Sequence, residues 1–363
     1  MGMTDHDKLK GVRARIDAVD AEILRLVSER GRLAQEVARI KREVGEQGDF
    51  YRPDREQQVL RRIRRENPGP LPGDSVVRLF REIMSSCLAL QMPLKVAYLG
   101  PEGTFTQAAA LAHFGHDVHH QPLATIDSIF REVESGDMHY GVVPVENSTE
   151  GVVNHTLDCF MTSPLQIVGE IELRIQHNLA SRELDRAAVT RVYSHQQGLA
   201  QCRTWLDVNL PAAERITVSS TAEAARRAAE ESGSAAIAGD AAVEMHGLNL
   251  LAEGIEDISG NTTRFLVIGR QSPPPTGDDK TSLLISRADQ PGGLCRLLEP
   301  LGRHGINMTR LDARPSRQGV WEYAFFIDCL GHADDQPLKD ALVEMRKEAS
   351  LFRVLGSYPR AAR

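Results

Sequence analysis

The first 44 residues contain the feature that most limits how this chain can fold, an apolar repeat with alternating steps of three and four. This spacing is typical of a long helix that packs along a partner helix. At 1.5 Å per residue such a helix is roughly 50 Å long, too long to cover its apolar stripe on a small monomer. The pattern therefore predicts a homodimer or a larger assembly. The stripe consists of Leu9, Val12, Ile16, Val19, Ile23, Leu26, Leu33, Val37, Ile40 and Val44.

Polar side chains occupy positions where this helical segment should be apolar. Counting from Leu26, the next stripe position is Arg30, and Lys41 lies about three turns later on the same side. A buried charge is costly unless it is paired, so a register-setting ion pair or a locally exposed stretch is one interpretation. Two further predicted helices, the first starting at Pro53, turn Glu56 and Gln91 toward the same interior. The second interpretation is a pocket for a small polyanion.

Length and composition restrict the class of protein. A chain of 363 residues is expected to form two or three domains. Its net charge of −7 gives no electrostatic basis for nucleic-acid binding. No apolar run reaches the ~18 residues of a membrane span, and the N-terminus lacks a signal-peptide pattern. Five scattered cysteines without a CxxC pair, and the absence of HExxH and GxxxxGK, predict a cytoplasmic protein without metal or cofactor.

The remaining chain divides into two further segments. After Pro93, short apolar runs such as 96–99, 141–145 and 265–268 alternate with helical stretches, which predicts an α/β domain with a largely parallel sheet and room for two lobes. The segment SPPPTGDD (272–279) is predicted to be a linker that is stiff at its prolines. The order βαββαβ beyond it predicts a ferredoxin-like fold. The predicted domains are 1–92, 95–272 and 280–363.

Two strand ends in the α/β segment run into loops rich in small hydroxyl-bearing residues, PEGTFT and ENSTEG. Each is predicted to lead to a helix N-terminus, where free N–H groups favour a carboxylate or phosphate. Ordinary helix caps have the same composition, so either role fits each loop taken alone.

The helical segment resembles the all-helical chorismate mutases through RARIDAVDAEILRLVSERGRLAQEVARIK, RPDRE and LFREIMSSCLALQ. That family implies an interlocked dimer in which Arg13 is contributed by the partner's long helix. Arg30 and Lys41 would hold the substrate carboxylates and ether oxygen, with Glu56 and Gln91 completing the lining. The chain departs from the best-known members at Arg52, where they carry Asp, and at Cys87, where they carry Ser.

The α/β segment resembles the prephenate dehydratases through LGPEGTFT, VPVENSTEG, YSHQQGLAQC and NTTRF, in the family's order and spacing. The resemblance implies two lobes like those of type II periplasmic binding proteins, with substrate in the cleft between them, and assigns catalysis to Thr263. A threonine hydroxyl is a weak acid, so its expected role is to hydrogen-bond the leaving oxygen. Other substrate-binding positions expected at the cleft are Thr104, Glu146, Asn147, Ser148, His177 and Arg264; for His177 a structural role, and for Arg264 a surface ion pair, remain open.

The last segment resembles ACT regulatory domains through QPGGL and GINMTRLDARP. In related dehydratases the ligand is phenylalanine, bound between two such domains, which implies feedback inhibition; a purely structural domain is the alternative. Here Asp312 replaces the usual Glu and Ala313 the usual Ser, so weaker or altered feedback remains open. The implied effector-site residues are Gly292, Gly293, Leu294, Asn307, Asp312 and Arg314.

Taken together, the three motif groups cover residues 8–360 in the order of the bifunctional chorismate mutase–prephenate dehydratases. The predicted fold is an all-α dimeric N-terminal domain, a two-lobed α/β domain and a C-terminal α+β domain. The predicted pathway runs from chorismate through prephenate to phenylpyruvate. Two alternatives stay open: a ligand-responsive regulator, which would need a DNA-reading segment that a long stripe does not resemble, and an arogenate dehydratase with an inactive mutase segment.

Overall fold

The computed structural model describes residues 5–44, 51–287, 290–315 and 323–361. Its contacts divide the described chain into two compact units. The first unit contains the chain up to residue 94 except 53–58, together with 114–119; the second contains the rest. Within the described residues, no helix is long and apolar enough to cross a bilayer.

The N-terminal segment is helical as predicted. Its helix α1 alone spans 39 residues, and Pro53 starts α2 while Asn67 caps its C-terminus, in agreement with the sequence signals. The three helices are α1 (Asp5–Glu43), α2 (Pro53–Glu66) and α3 (Gly73–Ala89).

The side of α1 that is buried in the single chain is not the apolar stripe. Gly31, Ala34 and Ala38 are buried, and small residues allow a neighbouring helix to approach closely. α1 packs against α3, and a Cβ added to Gly31 would already lie 3.5 Å from Leu90. The stripe residues defined above are instead 46% to 67% exposed. A long exposed apolar stripe on a helix is a surface that association would bury.

The first α/β lobe has a central sheet in the order β2-β1-β3-β11-β5, with the short β4 pairing to β3. Its core is built from apolar residues of β3, β11 and the helices beside them, among them Val143, Leu266 and Phe160. The elements are β1 (Lys95–Leu99), α4 (Phe105–Phe114), β2 (His119–Leu123), α5 (Ile126–Ser135), β3 (Tyr140–Asn147), β4 (Gly151–Val152), α6 (Asn154–Thr162), β5 (Gln166–Arg174) and, returning from the second lobe, β11 (Thr262–Gly269).

The second lobe has a five-stranded sheet in the order β10-β6-β9-β7-β8. Alanines of its helices and strands, such as Ala225 and Ala236, fill the interior. The elements are β6 (Asn178–Ser181), β7 (Arg191–His195), α7 (Gln196–Gln201), α8 (Arg203–Asn209), β8 (Glu214–Val218), α9 (Thr221–Glu230), β9 (Ser234–Ala238), α10 (Asp240–Met245) and β10 (Asn249–Ala252).

The expectation of a largely parallel sheet was wrong, because both lobes contain mixed sheets. β1 pairs with β3 in parallel, but β11 is antiparallel to both β3 and β5. The reason is the chain path: the chain leaves the first lobe after β5 and returns to it only as β11, between two strands that run the opposite way.

The C-terminal domain has the predicted βαββαβ order and a four-stranded sheet ordered β13-β14-β12-β15. Its helices pack on one face over a core that includes Leu283, Leu297 and Ile327. The elements are β12 (Asp279–Arg287), α11 (Gly293–Arg303), β13 (Met308–Pro315), β14 (Tyr323–Leu330), α12 (Gln336–Glu348) and β15 (Leu351–Pro359). The predicted start of the third strand, Val320, lies outside the described residues.

Candidate functional site

A cleft of about 500 Å³ lies within the α/β domain. Its walls come from both lobes, so a small molecule bound there would touch both sheets. Among its described lining residues none is Lys or Arg; hydroxyl, amide and imidazole groups and the carboxylate of Glu150 provide the polarity. The polar lining residues are Thr104, Thr106, Asn147, Glu150, His177, His195, Gln197, Gln201, Ser219, Ser220, Thr221, Asn261 and Thr263.

Thr263 lies at the start of β11 and is only 9% exposed. The Asn147 side chain on the paired strand β3 donates from Nδ2 to Thr263 Oγ1 over 2.7 Å and to Asn261 Oδ1 over 2.8 Å. Since Thr263 Oγ1 accepts this bond, its own hydrogen is available to another acceptor. The predicted catalytic residue therefore has a hydroxyl held in place and able to donate.

The loop after β3 is built around Asn147. Its Oδ1 accepts from the backbone N–H groups of Thr149 and Glu150, both over 3.0 Å, and from Thr149 Oγ1 over 2.6 Å. Ser148 closes the loop against β11, since Ser148 Oγ accepts from Thr262 N over 3.0 Å. Ser148 thus supports the loop and is not among the lining residues. ENSTEG also differs from its prediction, because β4 intervenes before α6 begins at Asn154.

A second group of polar contacts centres on Gln201. Gln201 Oε1 lies 2.8 Å from His177 Nε2 and accepts from Asn261 Nδ2 over 3.1 Å. Gln201 Nε2 donates to Thr149 Oγ1 over 3.2 Å, so the residue joins the second lobe to the first. Burial lowers the pKa of His177, against the opposing effect of its Gln201 bond. A neutral imidazole that donates from Nε2 leaves Nδ1 as a buried acceptor without a hydrogen-bond partner.

The N-termini of α4 and α9 face the cleft. The PEGTFT loop leads into α4 as predicted, and there Thr104 Oγ1 donates to Leu99 O and accepts from Gln107 N. Ser220 caps α9, accepting from Glu223 N over 3.0 Å. Helix N-termini favour negatively charged groups, so the cleft has two places suited to a carboxylate despite lacking a cationic side chain in its described lining.

Arg264 and Glu146 are placed differently from the prediction, which put both at the cleft. Neither is among the lining residues. Arg264 is 9% exposed, and its guanidinium bonds Glu170, Asp328 and Tyr358. Glu146 lies 3.3 Å from Arg310. The physical reason is strand alternation: each neighbours a cleft residue in sequence and therefore points to the other face of the sheet.

In the helical unit, the structure supports an inward orientation for two of the predicted cations. Arg30 and Lys41 are half-buried on the side of α1 that contains the buried Ala34 and Ala38, one before and one after these alanines. Arg30 donates to Ile83 O on α3 over 3.4 Å. Arg13 is exposed.

The other mutase positions divide between buried and exposed. Cys87 is 4% exposed, while Gln91, just after α3, and Glu56, on α2, are half-buried. Arg52, which precedes α2, is exposed.

The predicted effector residues lie on or next to α11 and β13. Gly292 has φ of 73° at the N-cap of α11, a conformation that favours glycine, and Gly293 is buried beside the half-buried Leu294. Asn307 precedes the edge strand β13 and is exposed. Asp312 lies 2.5 Å from Arg310, and Arg314 bonds Asp158 of α6 over 2.8 Å. The last contact ties Arg314 to the α/β domain.

One trio among the described residues could offer ligands to a metal ion, although none was predicted: Asp127, His155 and Cys159. The Asp127 and His155 side chains are each 55% exposed and lie 2.5 Å apart. Burial, and then the Asp127 charge, raise the pKa of Cys159 to about 12. Because a thiol must ionise to bind a metal, this trio is poorly prepared for one.

Several lining residues were missed from sequence. Gln201 and Asn261 belong to YSHQQGLAQC and NTTRF, so their motifs were recognised without these positions being singled out. Ser219, Ser220 and Thr221 had a separate signal, a capping sequence directly before an Ala-rich helix.

A two-lobed cleft lined by hydroxyls, amides and helix N-termini, joined to a ferredoxin-like domain, is typical of enzymes that act on a small acid under a regulatory domain. The family models agree: type II chorismate mutase matches residues 12–92, prephenate dehydratase 96–273 and the ACT domain 281–346. A bifunctional chorismate mutase/prephenate dehydratase of Stutzerimonas stutzeri is 56% identical over 363 residues, covering 99% of this chain and 100% of the relative. The chain belongs to the family of bifunctional chorismate mutase/prephenate dehydratases.

Solved structures support the same assignment for the second unit. A prephenate dehydratase from Arthrobacter aurescens in complex with L-Phe has 35% identity and a TM-score of 0.69, covering 74% of this chain and 90% of that one. A quorum-quenching acylase has 28% identity and a TM-score of 0.68, covering 74% and 98%. Because this fold also occurs with a different described activity, the full-length relative and the cleft chemistry carry the functional argument.

Proposed function

We propose that this chain rearranges chorismate to prephenate in its helical domain and converts prephenate to phenylpyruvate in the α/β cleft, as two steps of phenylalanine biosynthesis. The observation that carries the second step is the oriented Thr263 hydroxyl. Asn147 Nδ2 donates to Thr263 Oγ1 over 2.7 Å, which leaves the hydroxyl proton free to bond a leaving oxygen.

The dehydratase reaction expels carbon dioxide and the ring hydroxyl, and aromatisation drives it. The enzyme has to hold the acid and assist departure of the hydroxide, a task in which proton donation is typically worth about 10²–10⁴ in rate. Thr263 donates a hydrogen bond to the leaving oxygen. His177 stays neutral because burial lowers its pKa, and it positions Gln201 across the cleft. The N-termini of α4 and α9 accommodate the substrate carboxylates.

The mutase reaction needs no nucleophile. A Claisen rearrangement requires a compact substrate conformer and positive groups near the ether oxygen where charge develops. Arg30 and Lys41 are half-buried on one face of α1, which fits this requirement. Glu56 and Gln91 complete the proposed lining, with Arg52 and Cys87 at its edge.

The mutase site is proposed to be shared between two chains. Arg13 lies seventeen residues before Arg30, about 25 Å along one helix, well beyond the reach of a side chain. Arg13 of one chain would therefore serve the site of its partner. Burial of the exposed apolar stripe on α1 provides the driving force for the homodimer.

Complementation tests this arrangement. Arg13→Ala and Arg30→Ala each abolish mutase turnover in a pure dimer. In an equal mixture refolded together, half of the dimers are mixed, and each mixed dimer contains one intact site, so about a quarter of wild-type activity returns. Recovery equal to the sum of the separate variants would show that Arg13 acts within its own chain.

The C-terminal domain is proposed to bind phenylalanine and inhibit the dehydratase. The left-handed Gly292 at the start of α11 lets backbone approach an amino acid closely. Leu294 follows this turn in α11, and Asn307 directly precedes the edge strand β13. With Asp312 in place of Glu and Ala313 in place of Ser, weaker or altered feedback is expected. We place the enzyme in the cytoplasm, where its cysteines, which form no disulfide in the structure, would stay reduced.

The deciding experiment supplies chorismate to the purified chain and follows chorismate, prephenate and phenylpyruvate separately, with and without phenylalanine. Phenylpyruvate formation that phenylalanine suppresses supports both activities and the sensor. Accumulation of prephenate removes the dehydratase assignment. Chorismate left intact while added prephenate is consumed removes the mutase assignment.

A further inference from the structure

The sheet of the first lobe carries two functions on its two faces. Thr263 is directly opposite Asn147 in the ladder between β11 and β3, and the next rung pairs Arg264 with Glu146. Successive residues of a strand point to opposite faces. The first pair therefore lies at the cleft and the second pair on the reverse face.

Residues of the C-terminal domain contact both members of the reverse pair. Arg264 Nη1 lies 2.5 Å from Asp328 Oδ2 on β14, and Nη2 donates to the Tyr358 hydroxyl on β15 over 3.0 Å. Glu146 lies 3.3 Å from Arg310 on β13. Three strands of the C-terminal domain, β13, β14 and β15, thus contact the rung next to the catalytic pair in the α/β domain.

Arg264 belongs to a buried group of two cations and two carboxylates, whose charges cancel. Glu170 on β5 accepts from Arg264 Nε over 2.8 Å and from Lys280 Nζ over 2.7 Å. Ser282 donates to the second oxygen of Asp328 over 2.5 Å. These charged side chains are at most 10% exposed. Burial raises the pKa of Asp328, but Arg264, Ser282 and Arg310 together lower it, and the pKa stays below its ordinary value.

We propose that Asp328, with Tyr358, is a positioning group for the dehydratase reaction, although it lies in the regulatory domain and outside the cleft lining. By fixing Arg264 it fixes the start of β11, and thereby the direction in which the Thr263 hydroxyl points. A small displacement of a catalytic group can lower a rate by about 10²-fold. This inference rests on the proposed dehydratase function.

The chain offers a matched control. Arg353 on β15 also joins the two domains, donating to Phe160 O over 3.1 Å and to Met161 O over 3.2 Å. These acceptors are backbone oxygens of α6, and among the contacts described Arg353 makes no hydrogen bond to β3 or β11. Arg353→Gln should loosen the same interface without moving the catalytic pair.

The test uses the full chain and measures dehydratase kcat and KM with prephenate, mutase turnover and thermal unfolding for each variant. Asp328→Asn keeps the shape and removes the charge; we expect kcat to fall about tenfold or more, with KM within about threefold and mutase turnover unchanged. Tyr358→Phe should lower kcat about threefold, and Arg353→Gln should leave it within about twofold.

Equal losses of kcat in Asp328→Asn and Arg353→Gln, or a kcat within about twofold of wild type in Asp328→Asn, would overturn the proposal. If Asp328→Asn does not fold, Tyr358→Phe decides, and an unchanged kcat in that variant overturns it. Wild-type turnover of prephenate is measured first, since its absence would reject the proposed function itself and not only this inference.

Discussion

Replacing Thr263 by valine isolates the hydroxyl on which the dehydratase assignment depends. Valine has nearly the shape of threonine and the same branching at Cβ, so it suits strand β11. Removing one preorganised hydrogen-bond donor from a transition state typically lowers kcat by about 10²–10³, or roughly 2.7–4 kcal/mol. We expect a loss of this size in prephenate turnover, with mutase turnover unchanged.

The structural consequence of the same change is smaller. Asn147 Nδ2 loses the Thr263 acceptor but keeps Asn261 Oδ1 at 2.8 Å, so a single N–H group is left without its partner. An unsatisfied buried group costs about 1–3 kcal/mol, and each kcal/mol lowers Tm by roughly 2–4 °C in domains of 150–250 residues. The variant should therefore fold, and calorimetry would register a moderate shift.

Two further variants control the comparison. Thr262→Val removes the neighbouring hydroxyl, which bonds only Gly260 O over 3.1 Å among the contacts described, and should leave kcat within about twofold. Thr263→Ser keeps the hydroxyl and should stay within about tenfold of wild type. A Thr263→Val enzyme with kcat within about threefold of wild type would refute the assigned role.

Three other predictions follow from the same structure. Arg30→Ala should lower chorismate turnover at least about 10²-fold and leave prephenate turnover intact; equal loss of both would indicate unfolding. Ile23→Glu, on the exposed stripe of α1, should convert the proposed homodimer to monomer in light scattering and remove mutase activity, because in the proposed shared site Arg13 would no longer reach its partner. Burial lowers the pKa of His177 below its ordinary value of 6.5. At pH values between this lowered pKa and about 6.5, the unfolded chain therefore binds a proton that the folded chain does not. The free energy of unfolding should then fall as pH falls below about 6.5, by at most about 1.4 kcal/mol per pH unit; His177→Gln should remove this part of the slope in urea titrations, and identical slopes would contradict the reasoning.

Much of the architecture could be predicted because it follows from local patterns. The apolar runs at 96–99 and 265–268 became β1 and β11, and Pro53 and Asn67 bounded α2. Sheet direction could not be predicted in the same way. β11 enters the first sheet from the second lobe. Its antiparallel pairing depends on the chain path, which cannot be read from a short stretch of sequence.

The candidate site was predicted where a motif combined with a side chain that faces the cleft. Asn147 and Thr263 meet both conditions, while Glu146 and Arg264 share their motifs but face the other way. Which face of a strand is the cleft depends on what packs on the reverse side, here the C-terminal sheet. Gln201 was missed for a related reason: its partners Asn261 and Thr149 are 60 and 52 residues away.

The two faces of the β3–β11 pair also bear on how regulation would be distributed. The contacts that join the regulatory domain to catalysis end on Arg264 and Glu146, one rung from Thr263, so an effector that shifts β13 or β14 acts first on the dehydratase step. Phenylalanine should therefore lower prephenate turnover by a larger factor than chorismate turnover in the same preparation. Asp328→Asn, which cuts this connection, should reduce the inhibition of the dehydratase while phenylalanine still binds in calorimetry. Equal inhibition of both activities, or unchanged inhibition in the variant, would mean that the signal travels by another route.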